Sequence, residues 1–351
     1  MAETATKRSK FKAAIAAIAI AAVAAAYAAL SYYWLNPTER FAPPREVTIE
    51  KGESFRQIAR ALGDAGVVRS ALALRGYGHM SLTANQIKPG DYAFKGGERI
   101  PDVMRHLVNG DFIVVTITVP EGLTVHQIAE RVEESGLGCQ NEFEDEARDG
   151  PIVRALGLRP LGAEGYLFPA TYRFSPHAKS ADVLEAMLAR FYTVLTPTVE
   201  ERMFAMGLDA RRLVTMASIV EKEAKAPSER PLIAGVFYNR LKINMPLQSD
   251  PTAQYQLDGA GGSAVAAVHS ASAFNTYDFT GLPPGPIANP GLKSIEAALN
   301  PTQTEFLYFV ARDGGSHMFS KSFDEHKRII ASERTGSANR SDQGGKKPPG
   351  K

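Results

Sequence analysis

VTIEKGESFRQIARALGDAGVV, residues 47–68, and ITVPEGLTVHQIAERVEESGL, residues 117–137, are two versions of one pattern. Each opens with alternating apolar residues, the period-2 mark of a strand. Each then turns at a glycine, Gly52 or Gly122, and enters an amphipathic helix. Gln57-Ile58-Ala59 matches Gln127-Ile128-Ala129, and Gly66 matches Gly136. Ser54 and Thr124 fall where a helix N-cap is needed, since a short hydroxyl can accept from an orphan helix N–H. The later glycine ends each helix by adopting a left-handed conformation without a Cβ penalty. Two strand-turn-helix copies predict a duplicated small α+β module and are too few for a solenoid. IKPGDYAF (87–94) reads as a turn into a strand, and PDVMRHLVNG (101–110) as a short helix closed by Gly110. These complete the first copy.

From about residue 179 the chain becomes helical: 179–195 and 196–206 carry apolar residues at helical spacing, and DARRLVTMASIVEKEAKA (209–226) and SERPLIAGVFYNRLK (228–242) follow. LQSDPTAQYQL follows, with Asp250 predicted as N-cap and Pro251 at the first helical position. A Gly-rich loop (259–263) and the segment FNTYDFTGLPPGPIANPG lead to a helix at 292–299 and a buried strand FLYFVA (306–311). From about 331 the chain is polar and rich in Gly, Ser and Lys, the composition of a disordered tail.

The N-terminus carries the compartment signal. Residues 13–30, AAIAAIAIAAVAAAYAAL, hold no charge and no helix breaker, and Tyr32, Tyr33, Trp34 and Leu35 extend the apolar run. About 20 such residues span a bilayer. The aromatic end suits an interfacial belt, and Lys7, Arg8, Lys10 and Lys12 mark the cytoplasmic side. A cleaved signal peptide is the rival reading; the length of the run and its aromatic end favour an uncleaved anchor. NPTERFAPPRE is then a Pro-containing linker.

Composition narrows the chemistry. Lys and Arg number 40 against 38 Asp and Glu, so the chain lacks the basic excess of a nucleic-acid-binding protein. The single Cys139 can form neither an internal disulfide nor a structural zinc site. Seven scattered His residues show no metal-binding spacing, and His317 and His326 read as structural or rim residues. No GxSxG, P-loop or dinucleotide fingerprint is present. Neither a metal nor a cofactor is expected.

Two features could carry chemistry. On a helix at ~100° per residue with Leu213 at 0°, Glu223 falls at roughly 280°, between Met216 at ~300° and Ile219 at ~240°. A carboxyl set in an apolar stripe is desolvated, and desolvation raises its pKa toward what a general acid needs. The alternative is a structural ion pair with Arg211, Arg212, Arg230 or Arg240; the pattern alone leaves both open. The second feature is a set of polar clusters in stiff loops: Gln248, Ser249, Asp250 and Thr252, then Asn275, Thr276 and Tyr277, then GLPPGPIANPG (281–291). Such side chains suit sugar hydroxyls and acetamido groups, and are also common turn formers.

MASIVEKEA (216–224), FYNRL (237–241), LQSDPT (247–252), FNTY (274–277) and GLPPGPIANPG, with EGYLFPATY (164–172) and FLYFVARDGGSHMFS (306–320), resemble the YceG-like family of endolytic murein transglycosylases. The resemblance runs in order from the N-terminal run to about residue 330. It implies α+β architecture: a cytoplasmic tail (1–12), a transmembrane helix (13–35), a linker (36–46), a small LysM-like module (47–115), a mixed α+β catalytic domain (116–330) and a tail (331–351). It implies a lyase that cuts the MurNAc–GlcNAc β-1,4 bond inside peptidoglycan glycan strands and leaves a 1,6-anhydroMurNAc end, terminating nascent strand elongation. Glu223, the second Glu of EKE, is then the catalytic acid and base. Glu221, Glu229 and Arg230 support it, and Gln248, Ser249, Asp250, Asn275, Thr276 and Tyr277 bind sugar. The partners implied are the glycan strand, the inner membrane and penicillin-binding proteins, with the catalytic domain periplasmic. One departure is Ala170, where the family often carries an acid. Two rivals remain: a non-enzymatic glycan-binding anchor for cell-wall synthases, and a hydrolase with Asp250 or Glu221 as second carboxylate.

Overall fold

The structure, a computed structural model, describes residues 15, 17–29, 31, 32, 36, 38–255, 268, 271–312 and 315–332. Tail residues 1–12 and 333–351 and the Gly-rich loop at 259–263 lie outside the described residues, as does part of the apolar run at 13–35. The described residues of that run are helical, and Ile18, Ile20, Val23 and Tyr27 are exposed. Among the described residues no helix is long and apolar enough to cross a membrane. Ala331 and Ser332, where the polar tail was expected to begin, belong to a helical stretch that includes 323–332.

The chain divides into two compact units, Met1–Val115 and Thr116–Lys351. In the first, β1 (Arg45–Ile49) leads through Gly52 into α1 (Phe55–Asp64), then α2 (Ala71–Met80), β2 (Gly90–Phe94) and α3 (Ile100–Asn109). β1 and β2 pair antiparallel, with Val47 opposite Tyr92 and Ile49 opposite Gly90. Alternation turns Val47 and Ile49 inward onto Ile58, Ala59 and Leu62 of α1 and onto Ile100, Val103, Met104 and Leu107 of α3. Those α3 positions follow the i, i+3, i+4, i+7 spacing of one helix face. Gly110 closes α3 in the left-handed conformation.

The second copy of the pattern opens the second unit: β3 (Val115–Thr118), then α4 (Val125–Glu134). Both copies build the same cap. The Ser54 hydroxyl accepts from Gln57 N–H and the Gln57 side chain returns to the Ser54 backbone; Thr124 and Gln127 do the same. α5 (Gln140–Asp149), α6 (Pro151–Ala155) and β4 (Thr171–Phe174) follow, with β4 paired to β3. The helical part then comprises α7 (Ser180–Tyr192), α8 (Pro197–Ala205), α9 (Ala210–Glu223), a 3₁₀ turn (Pro227–Glu229), α10 (Arg230–Lys242), α11 (Asp250–Gln254) and α12 (Leu292–Leu299). A hairpin of β5 (Tyr308–Ala311) and β6 (His317–Ser320) completes it.

α9 is the pivot of this unit and packs on α10, α11 and α12. Every residue from Leu213 to Val220 is buried, so a single apolar stripe is too narrow a description. The buried hydroxyls are satisfied: Thr215 donates to the Arg211 carbonyl at 2.7 Å and Ser218 to the Thr215 carbonyl at 2.8 Å. The proline-rich segment 281–291 is part of this packing: Gly285 through Gly291 are buried, rather than forming an open sugar-facing surface. Ile287 N–H donates to Ser218 Oγ at 3.0 Å. Asn289 receives Leu167 N–H at 2.8 Å and donates to the Leu123 carbonyl and to Glu164. Gly165 has φ +87°, and a Cβ there would lie 2.4 Å from Pro286 and 2.7 Å from Val214, so the EGY turn admits only glycine.

Two boundaries differ from expectation. Ser249, not Asp250, is the N-cap of α11, because Ser249 is the extended residue and Asp250 is already helical; the Ser249 hydroxyl is spent on Glu223 and gives no side-chain cap. FLYFVA forms strand only from Tyr308, half-buried, because it is one arm of a two-stranded hairpin.

Candidate active site

Glu223 is the last residue of α9, half-buried at the floor of a cleft of about 470 Å³. The cleft is lined also by Arg240, Gln248, Asp250, Tyr277, Tyr308 and His317. The Ser249 hydroxyl donates to Glu223 Oε1 at 2.6 Å. Burial raises the Glu223 pKa; the Ser249 hydrogen bond opposes the rise, Asp250 adds to it, and His317 and Arg240 oppose it. Among the described residues no cation lies within ion-pair distance of Glu223, which removes the structural ion pair from the alternatives. Arg230 is committed to Glu221, and Arg240 donates to the carbonyls of Leu307 at 2.6 Å and Leu247 at 2.6 Å.

Ser249 is aimed by a lattice of hydroxyls. Gln248 takes φ +49°, and its N–H donates to the Thr276 carbonyl at 3.1 Å. Ser249 N–H donates to Thr276 Oγ1 at 3.1 Å, Thr252 Oγ1 donates to the Ser249 carbonyl at 2.6 Å, and the two threonine hydroxyls meet at 2.7 Å. The two polar clusters are thereby brought together, in different roles. Gln248, Asp250 and Tyr277 face the cleft, and Tyr277 Oη donates to Asp250 Oδ1 at 2.5 Å. Asn275 and Thr276 are fully buried, and Asn275 Nδ2 donates to Asp278 at 2.9 Å. These two hold the wall from behind.

The acidic and basic neighbours separate into two groups, and in the first Arg230 also lies 3.7 Å from Glu121. Glu221 Oε1 receives Arg230 Nη2 at 3.0 Å and Oε2 receives Gly291 N–H at 3.1 Å, while Arg230 Nε donates to Ser294 at 2.9 Å. That pair ties the end of α9 to the start of α10 and α12. Glu229 instead reaches His317 Nδ1 at 2.7 Å. His317, Tyr308, Phe323 and His326 all line the cleft, and sequence spacing did not single them out. Ala170 is not among the lining residues; its carbonyl accepts Val119 N–H at 2.9 Å where β3 meets β4.

A carboxyl with raised proton affinity, oriented by one hydroxyl in a cleft of sugar-compatible side chains, can protonate a leaving oxygen. The YceG-like family model matches residues 47–332. The chain belongs to the YceG-like family. An endolytic murein transglycosylase of Bacillus subtilis is 33% identical over 317 residues, covering 84% of this chain and 86% of that one. A Streptococcus pneumoniae endolytic murein transglycosylase is 30% identical over 325 residues, covering 81% of this chain and 57% of the longer relative. The crystal structure of a yceG-like protein from Listeria monocytogenes matches with a TM-score of 0.57 at 29% identity, over 83% of this chain and all of that one. Within this YceG-like chain, the motifs EGYLFPATY and GLPPGPIANPG serve the scaffold beneath the cleft, and VEKEA and LQSDPT serve the cleft itself.

Proposed function

We propose that the protein is an endolytic transglycosylase of peptidoglycan, a lyase that cuts MurNAc–GlcNAc β-1,4 bonds within glycan strands and leaves 1,6-anhydroMurNAc ends. The observation that carries the mechanism is the Glu223 carboxyl, desolvated and held by Ser249 in the cleft. Its protonated form gives the proton to the leaving O4. The carboxylate left behind is the base needed when the sugar's own C6 hydroxyl closes on the anomeric carbon. No water is consumed, so the reaction needs no second carboxylate of the kind a hydrolase uses. Glu221 is unsuited to that second part, since Arg230 and Gly291 occupy both of its oxygens. Gln248, Asp250 and Tyr277 orient the sugars; Asn275 and Thr276 fix Ser249 and the loops.

The remainder of the proposal rests on sequence. The run at 13–35 is the inner-membrane anchor, residues beyond it are periplasmic, and the module at 47–115 is LysM-like and touches glycan. The target is the nascent strand, and the working partner is a strand-polymerising penicillin-binding protein.

Full-length protein in detergent, incubated with purified glycan strands and analysed by mass, tests the reaction. Anhydro-ended fragments from wild type, and loss of at least ~1,000-fold in rate for a folded Glu223→Gln, are expected. Ends heavier by one water would instead assign Asp250 as the partner carboxylate of a hydrolase.

A further inference from the structure

The cleft wall holds a second titratable pair that this mechanism does not use. Glu229, at the end of the 3₁₀ turn, accepts the His317 backbone N–H at 3.0 Å with one oxygen, and its other oxygen lies 2.7 Å from His317 Nδ1. One carboxylate therefore grips both the ring and the backbone of the same residue, although the two are 88 positions apart. A carboxylate only accepts, so Nδ1 carries the hydrogen and Nε2 holds the lone pair of the neutral ring. The side chain is only 4% exposed, and Phe309 packs edge-on against it at 5.4 Å. The ring nonetheless lines the Glu223 cleft, and no described residue hydrogen-bonds Nε2. An imidazole that lines the cleft, with a carboxylate holding its Nδ1–H from behind, has the arrangement of a positioned proton-transfer group.

Other groups in the cleft are less suited. Lys222, Lys225 and Arg240 are cations that cannot accept. Asp250 is engaged by Tyr277, and His326, stacked on Tyr308 at 5.3 Å, has a buried Nδ1 with no hydrogen-bond partner behind it.

We infer that His317 is a second catalytic residue: its Nε2 receives the proton of the C6 hydroxyl as that oxygen closes on the anomeric carbon, and relays it to the Glu223 carboxylate, with Glu229 as positioning residue. The inference rests on the transglycosylase reading above. In the balanced step, the C1–O4 bond breaks and O4 takes the Glu223 proton. The C1–O6 bond forms, the hydroxyl proton passes to Nε2, and Glu223 recovers a proton from the imidazolium. Neither water nor net charge enters. Holding the hydroxyl on Nε2 also favours it over water as the nucleophile.

That competition supplies a readout a structural histidine would not move. Full-length wild type, His317→Gln and Glu229→Gln are compared on glycan strands for kcat, KM, thermal unfolding and the ratio of anhydro to hydrated ends. His317→Gln is expected to lose about 100-fold in kcat with little change in KM, and to release a growing share of hydrated ends. Glu229→Gln, which keeps the ring, is expected to lose about tenfold with the same drift in product. Wild-type kcat and only anhydro ends from a folded His317→Gln would overturn the inference. A lowered rate that tracks a lowered unfolding temperature, with product unchanged, would overturn it equally. If His317→Gln does not fold, Glu229→Gln decides by the same measures. Hydrated ends from wild type itself would instead sink the underlying transglycosylase reading.

Discussion

Glu223 sits between opposed influences of known sign. Burial and Asp250 raise its pKa, while Ser249, His317 and Arg240 lower it. In the proposed mechanism the acid form starts the reaction, so a raised pKa would keep the enzyme active to higher pH, with the rate falling as pH climbs through that value. Ser249→Ala removes a bond to the carboxylate and should move the alkaline limb of the pH profile for kcat/KM upward. Asp250→Asn removes a neighbouring negative charge and should move it downward. Profiles shifted the same way in both variants would show that Glu223 does not set that limb. Glu223 was legible in the sequence because helical spacing places it between Met216 and Ile219, and burial is a property that spacing reports. The difference between Tyr277, facing the cleft, and its neighbours Asn275 and Thr276, buried behind it, was not legible. Three adjacent polar residues in a loop carry no period that would separate them. In the sequence His317 reads as a structural or rim residue, and it lines the cleft; its pairing with Glu229 was not legible, because that partner comes from a distant turn.

Among the elements, the end of α9 is fastened by the Glu221–Arg230 pair, with side chains only 7% and 11% exposed. Removing Arg230 leaves Glu221 without its cation, and removing Glu221 leaves Arg230 only the more distant Glu121 at 3.7 Å. Glu221→Leu or Arg230→Met alone should each cost about 3–5 kcal/mol in urea unfolding, and the double variant much less than their sum. Additive losses would mean that the two residues act separately. A helix with a dense apolar face, such as α3, was readable from spacing. α5 was not, because QNEFEDEARD buries only Phe143 and Ala147, too few to show a period. α2 was hidden by Gly76 and Gly78, which weaken any helical expectation. β4 was not legible because it is only four residues long: exposed Thr171 and Arg173 alternate with half-buried Tyr172 and Phe174, too short a run to register as a period.

At the scale of the molecule, the duplicated strand-turn-helix pattern was plain in the sequence, down to the paired capping boxes. Each copy opens one of two units with its own core, and only the second unit carries the cleft. Leu107→Ala empties a site in the first core and should destabilise that unit by about 2–5 kcal/mol. Hydrogen exchange should accelerate across residues 45–109, while cleavage of short strands keeps its rate. Loss of cleavage would show that the reaction depends on an intact first unit. The second unit has a further consequence, which lies in where its most buried helix stops. Peptide dipoles along α9 add head to tail, and their negative end is the turn that carries Glu223. An anion there faces the helix's own unpaired carbonyls, so the backbone itself favours the protonated acid. The proton affinity of Glu223 is therefore partly a property of fourteen residues in register, and fraying of that last turn would leave an ordinary glutamate.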